Sequence, residues 1–164
     1  MIFVTVGTHE QPFDRLIKAI DDLKADGTLT EEVVIQTGYS TYIPKHCKWQ
    51  KLFPYSQMVE LIADARIIIT HGGPSSFIMP IQVGKVPVVV PRMHQFGEHV
   101  NDHQVDFCRA VVQRQGNILL VEEIDKLRET LVHYDALAAS CAAEMNSNNA
   151  AFNEGIQKIV SELF

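Results

Sequence analysis

The sequence predicts an α/β domain: a parallel sheet with helices on both faces. Three observations carry this prediction. The strand-length runs Ile2 to Val6, Arg66 to Thr70 and Val86 to Val90 are apolar at most positions, with Ile67-Ile68-Ile69 continuous, and do not alternate, as strands covered on both faces require. Segments with a helical apolar period fall between them, so strand and helix take turns along the chain. The strands run out at Gly7, Gly38, Phe53, His71 and Arg92. Ligands of such sheets bind beyond the carboxyl ends of the strands, which places these residues on one edge.

Each element has its own reason. Ile2 to Val6 is a buried strand that turns at Gly7. Pro12 to Lys24 carries Phe13, Leu16, Ile17, Ile20 and Leu23 at helical spacing, and Asp26-Gly27 stops it. Glu32 to Gln36 is the second strand, followed by the loop Thr37 to Tyr42. Lys48 to Phe53 is a candidate third strand, and Ser56 is a candidate N-cap for a helix reaching Ala65. After the strand Arg66 to Thr70, a helix is expected from Ser75 to Val83, with Pro80 inside it removing a backbone donor and kinking it. Val86 to Val90 is the next strand, a helix runs from about Asn101 to Gln113, Ile118 to Val121 is the last strand, and helices fill the remainder.

The 164 residues suffice for one domain with a core of its own. A composition of 46% hydrophobic and 21% charged residues is that of a globular protein. The net charge of −6 argues against a general nucleic-acid or membrane-surface role. The one basic cluster, Lys45-His46-Cys47-Lys48-Trp49-Gln50-Lys51, reads as a solvated strand edge, with a phosphate or lipid-headgroup contact as the alternative. Cys47, Cys108 and Cys141 make no CxxC pair and fit a reducing, cytoplasmic setting. No run reaches membrane-span length, and the N-terminal strand is too short for a signal peptide, so attachment to a membrane is expected only through a partner.

Thr70-His71-Gly72-Gly73-Pro74-Ser75-Ser76 holds most of the candidate chemistry. Two glycines allow close backbone approach, Pro74 presets a first helical turn, and Ser75 and Ser76 bring hydroxyls to the amide end of that helix. This is an anion cradle suited to a diphosphate; a purely geometric strand-to-helix turn is the plainer alternative. Gly7-Thr8-His9-Glu10 opens a second helix on the same edge, but it is not GxGxxG, and GxxxxGK[ST] is absent too. Phe96 to Gln104 concentrates Glu98, His99, Asn101, Asp102, His103 and Gln104, a mixture of donors and acceptors that a sugar ring calls for and capping alone does not explain. His94, His99 and His103 lack an HExxH context or a nearby cysteine, so no metal is assigned.

Together, Val4-Thr5-Val6-Gly7-Thr8, His71 to Ser76, Gly84 to Arg92 and Glu98 to Gln104 resemble the donor-binding half of glycosyltransferase family twenty-eight, most closely its small two-subunit members and their bacterial capsule and exopolysaccharide branch. The resemblance implies a Rossmann-like domain equivalent to the C-terminal half of a GT-B glycosyltransferase. It implies that His71, Gly72, Gly73, Pro74, Ser75 and Ser76 meet the diphosphate of a UDP-sugar, with Gly7 and Thr8 close by. It implies that Phe53, Pro54 and Tyr55 lie by the uracil, largely through backbone groups, and that Asn101, Asp102, His103 and Gln104 contact the sugar; Arg92, Glu98 and His99 are further candidate substrate-binding residues. It implies inversion by single displacement, a membrane-anchored partner that binds a lipid-linked saccharide acceptor, and no cofactor, the UDP-sugar being a substrate. His9 is the one candidate base in this chain, since histidine titrates near neutrality. Relatives often carry an acidic ribose-binding residue where this chain has Met79, so ribose recognition is expected to fall to Ser76 or Glu98. A stripe of Phe152, Ile156, Ile159, Val160 and Leu163, preceded by a hinge or cap at Asn146 to Asn149, is either packing or a partner-docking helix. A non-catalytic nucleotide-binding module and an NAD-linked enzyme are the competing readings.

Overall fold

The computed structural model describes residues 1–145; the stripe from Phe152 to Leu163 and the Asn146 to Asn149 segment lie outside them. Six strands form one sheet: β1 (Ile2–Thr5), β2 (Val33–Gln36), β3 (Lys48–Gln50), β4 (Ile67–His71), β5 (Val88–Val90) and β6 (Leu119–Leu120). The spatial order is β3-β2-β1-β4-β5-β6, and every pairing is parallel. The order reverses between β1 and β4, which opens a crevice at their carboxyl ends. The expected fold class is therefore the one observed.

The helices are α1 (Asp14–Ala25), α2 (Tyr55–Asp64), α3 (Pro74–Gln82), α4 (His103–Arg114), α5 (Leu127–Val132) and α6 (Tyr134–Met145). Alternate strand residues feed opposite faces. Ile2, Val4, Ile35, Ile69 and Val90 pack with Leu16, Ile17 and Ile20 of α1 and with Leu127 and Leu131 of α5. On the other face Phe3, Val34 and Ile68 meet Ile62 of α2, while Val89 meets Phe77 and Ile81 of α3 and Phe107 and Val111 of α4. Each such side chain, once fully buried, contributes about 1.5–3 kcal/mol. Met79 packs against the Phe3, Ile62 and Ile68 cluster.

Several boundaries differ from expectation. β3 stops at Gln50, because the Phe53 N–H turns away from the sheet to donate to Gln36 Oε1 at 2.9 Å. The N-cap of α2 is Pro54, whose φ of −57° and ψ of 150° already set the entry, so Ser56 falls inside the first turn. α3 continues through Pro80 as far as Gln82. β5 starts at Val88, since Pro87 has no N–H for the ladder, though its carbonyl still accepts from Leu119 at 3.0 Å. Lys85 Nζ donates to the carbonyls of Ile62, Ala63 and Ala65 at 2.6–2.7 Å and so closes the carboxyl end of α2.

Candidate functional site

The loops after β1, β4 and β5 meet around His71, the last residue of β4, whose ring is buried. A side chain on Gly7 would put a Cβ 2.3 Å from His71 Nε2, and one on Gly73 would lie 2.3 Å from Cε1. Both glycines are therefore required by the imidazole between them, and Gly7 also has a φ of +74°. His71 Nδ1 accepts from the Gly73 N–H at 3.1 Å and faces Gln104 Nε2 at 3.2 Å. Burial, with the Arg92 charge second, lowers the His71 pKa to about 3, so the ring is neutral and its proton sits on Nε2. From there it donates to Ser76 Oγ at 2.8 Å, which leaves the serine hydrogen free to point outward.

The same local device occurs three times. His9 Nδ1 accepts from the Gln11 N–H at 3.2 Å, and His99 Nδ1 accepts from the Asn101 N–H at 3.4 Å, each from the residue two further on, as in His71. The His9 and His99 rings pack together with centroids 4.7 Å apart. Both pKa values lie below the ordinary histidine value, first by burial; Arg92 adds to the effect at each, and the neighbouring imidazole adds to it at His99. Each neutral ring carries its proton on Nε2, so the cluster presents N–H donors.

Arg92 lies behind this cluster and is fully buried. Its guanidinium donates to the carbonyls of Gln11 at 2.6 Å, Val6 at 2.7 Å and Glu98 at 3.1 Å. Burial lowers its pKa to about 10, so it keeps its charge at neutral pH. Arg92 thus binds three segments together, with its guanidinium wholly inside the protein. Glu98 is similarly engaged: Arg15 Nε and Nη2 each reach one of its oxygens at 2.9 Å, and the Met93 N–H donates to it at 3.1 Å. With both oxygens held inside, Glu98 is not placed to bind a sugar or ribose hydroxyl. Gln104 Oε1 accepts from the Gly72 N–H at 3.1 Å and the Arg92 N–H at 2.9 Å, which ties the ends of β4 and β5 together.

The glycine amides of the turn are consequently occupied, by Gln104 for Gly72 and by His71 for Gly73. The outward donors of the turn are the Ser76 hydroxyl and the first-turn amide of Ser75, which α3 itself leaves without a partner. Pro74 is the first helical residue, one before the expected start at Ser75, and Thr8 is exposed beside Gly7. Asn101 Oδ1 accepts from the His103 N–H at 3.0 Å, a local turn that opens α4. The Asp102 carboxylate accepts from the His94 N–H at 2.9 Å and lines an open cavity of about 1020 Å³ with Arg15, Phe96 and Arg109; none of His9, His71 and His99 lines it. Phe53 packs edge-on against Phe3, with centroids 6.1 Å apart, while Pro54 and Tyr55 are exposed at the start of α2. Among the described residues, no three His, Cys, Asp or Glu gather as a metal would need. Sequence reasoning missed Arg15 and Gln36. Gln36 Nε2 donates to Thr5 Oγ1 at 3.0 Å while its oxygen holds Phe53.

Residues 1–163 match the model of the glycosyltransferase family 28 C-terminal domain. The chain belongs to this family. Among solved structures, the family 28 chain is similar to the glycotransferase of kitacinnamycin, at 15% identity and a TM-score of 0.59, covering 96% of this chain and 39% of that one. It also matches the glycosyltransferase SnogD from Streptomyces nogalater, at 18% identity and a TM-score of 0.49, over 99% of this chain and 43% of that one. The family 28 chain thus spans less than half the length of these two structures. No curated protein sequence matches it. Among the described residues, no helix is long and apolar enough to cross a membrane.

Proposed function

We propose that this family 28 chain is the donor-binding subunit of an inverting glycosyltransferase. It would move a sugar from a UDP-sugar to a lipid-diphosphate-linked saccharide in capsule or exopolysaccharide synthesis, with galactose the first sugar to test. The acceptor is held by a second, membrane-attached polypeptide. The observation that carries this reading is the gathering of donor groups from the loops after β1, β4 and β5 near the buried Arg92. The Nε2–H groups of His9 and His99, the Ser76 hydroxyl and the Ser75 amide supply donors, the buried Arg92 charge acts on His9, His71 and His99, and both Glu98 oxygens are held by Arg15. Such a surface favours a dianion and stabilises charge as it grows on a leaving diphosphate.

The same geometry gives His9 a different role from the one its residue type suggests. A general base needs a free lone pair, but the His9 Nδ1 lone pair accepts the Gln11 amide and Nε2 carries the proton. His9 is therefore assigned to the leaving group, and the base to the acceptor subunit. No nucleic acid and no cofactor enter the scheme.

Titration calorimetry with UDP, UDP-galactose, UDP-glucuronate and UDP-N-acetylglucosamine tests donor binding. The reading expects UDP to bind and one UDP-sugar to bind differently from UDP. Failure of all four to bind would overturn it. Transfer to a lipid-diphosphate saccharide, assayed with and without the acceptor subunit, separates a transferase subunit from a non-catalytic nucleotide-binding module.

A further inference from the structure

The outer edge of the sheet carries a second concave surface, lined by none of His9, His71 and His99. β3 is an edge strand, and Lys48, Trp49 and Gln50 are all exposed. The loop after β2 folds beside it to form a concavity of about 300 Å³ whose lining includes Tyr39, Ile43, Trp49 and Lys51. Tyr39 and Trp49 are each 45% exposed and Ile43 is 62% exposed. Lys51 Nζ stands 4.5 Å from the centre of the Tyr39 ring. Lys45 and His46 follow Ile43 on the same edge and are exposed.

The polar groups of this loop already have partners. Ser40 Oγ accepts from the Phe13 N–H at 2.9 Å, and Thr41 Oγ1 donates to Asp14. The Tyr42 hydroxyl donates at 2.8 Å to Asp21, a buried carboxylate that also receives the Lys45 and His46 amides. These bonds hold the loop in one shape and leave few hydroxyls for a sugar. The concavity instead offers two amphipathic rings, a branched aliphatic side chain and a cation. Lys45 and Lys51 have no carboxylate partner among the described residues, while Lys48 pairs with Glu32 at 3.2 Å. Lysines on an edge strand also discourage strand-to-strand pairing, but that purpose does not call for an exposed tryptophan and tyrosine beside them. Trp and Tyr partition to the bilayer interface, and lysines are drawn to anionic headgroups. On a chain of net charge −6 this cation-bearing edge is the local exception.

We propose that the β3 edge, with Tyr39, Ile43, Trp49, Lys45 and Lys51, docks this chain directly onto an anionic membrane surface. Docking needs no donor, so it stands or falls apart from the transferase reading.

Trp49 is the single tryptophan of the chain, so its emission reports on this edge alone. The full chain is titrated with phosphatidylcholine vesicles containing about 30% phosphatidylglycerol, at low salt, where surface attraction is strongest. The expected result is a blue shift of Trp49 emission and co-sedimentation with the vesicles, both weakened in pure phosphatidylcholine. Each lysine near such a surface is worth about fivefold in affinity, so Lys45→Glu with Lys51→Glu should weaken binding more than about tenfold. Both side chains are exposed, and circular dichroism checks that the variant is folded. No blue shift with anionic vesicles overturns the proposal and points to an acidic protein partner. Binding undiminished in the double variant also overturns it.

Discussion

Glu98 and Arg15, 83 residues apart in sequence, form a two-pronged ion pair at the mouth of the site, with Glu98 Oε1 also accepting the Met93 amide. The side chains are 3% and 14% exposed, so neither charge has much water to fall back on. Replacing Arg15 by Met strands the carboxylate and should cost about 3–5 kcal/mol by urea denaturation. Glu98→Gln should cost less than Arg15→Met, because the amide retains one acceptor. In both variants UDP affinity should fall, since the segment carrying His99 is no longer tied down.

Gly7 and Gly73 make room for the His71 ring. Gly7→Ala meets that ring at 2.3 Å and also places an alanine at a φ of +74°, so it should destabilise by more than about 2 kcal/mol and abolish UDP binding. If the ring is the obstacle, His71→Ala in the same chain should recover part of the stability but not the binding. Thermal denaturation of the single and double variants measures this coupling.

Held neutral, His71 makes folding depend on pH. Its folded-state pKa of about 3 lies below the ordinary 6.5, so its stabilising contribution is complete above pH 6.5 and is lost as the pH falls towards 3. The slope for one such group is about 1.4 kcal/mol per pH unit. Stability measured across this range should fall less steeply in His71→Asn than in the parent chain.

The lowered pKa values of His9 and His99, with each Nδ1 lone pair held by a backbone amide, predict that both rings stay neutral donors when a diphosphate binds. UDP-galactose affinity should therefore stay nearly constant as the pH drops from 7 to 6. Calorimetry in buffers of different ionisation enthalpy should count no proton taken up. His9→Ala should weaken binding by removing a donor, whereas a residue acting only as a general base would leave affinity unchanged.

Lys85 closes the end of α2 by donating to three carbonyls, the last of which, Ala65, immediately precedes the Arg66-Ile67 entry to β4. Lys85→Met should cost about 1–3 kcal/mol in denaturation, because these carbonyls lose a charged donor. UDP affinity should change little, as the site lies at the other end of β4.

The parallel sheet, its strand sequence and the edge that holds the site were legible in the chain itself. Continuous apolar runs, and the glycines and prolines that end them, are local signals that need no knowledge of the partner strand. The candidate turn at His71 to Ser76 followed from residue types at fixed spacing, and the family from the resemblance of its motifs to known members. The tertiary structure decided which polar groups of those residues already have partners within the chain. Glu98 and Gln104 read as sugar contacts because they are polar and close to a strand end, yet each is turned inward by a partner remote in sequence, Arg15 for the one and the Gly72 amide for the other. His9 read as a base because of its intrinsic pKa, and the fold sets the Gln11 amide against its Nδ1. Sequence sets what a side chain can donate or accept; which lone pair or proton stays free depends on what the fold brings within 3 Å of it.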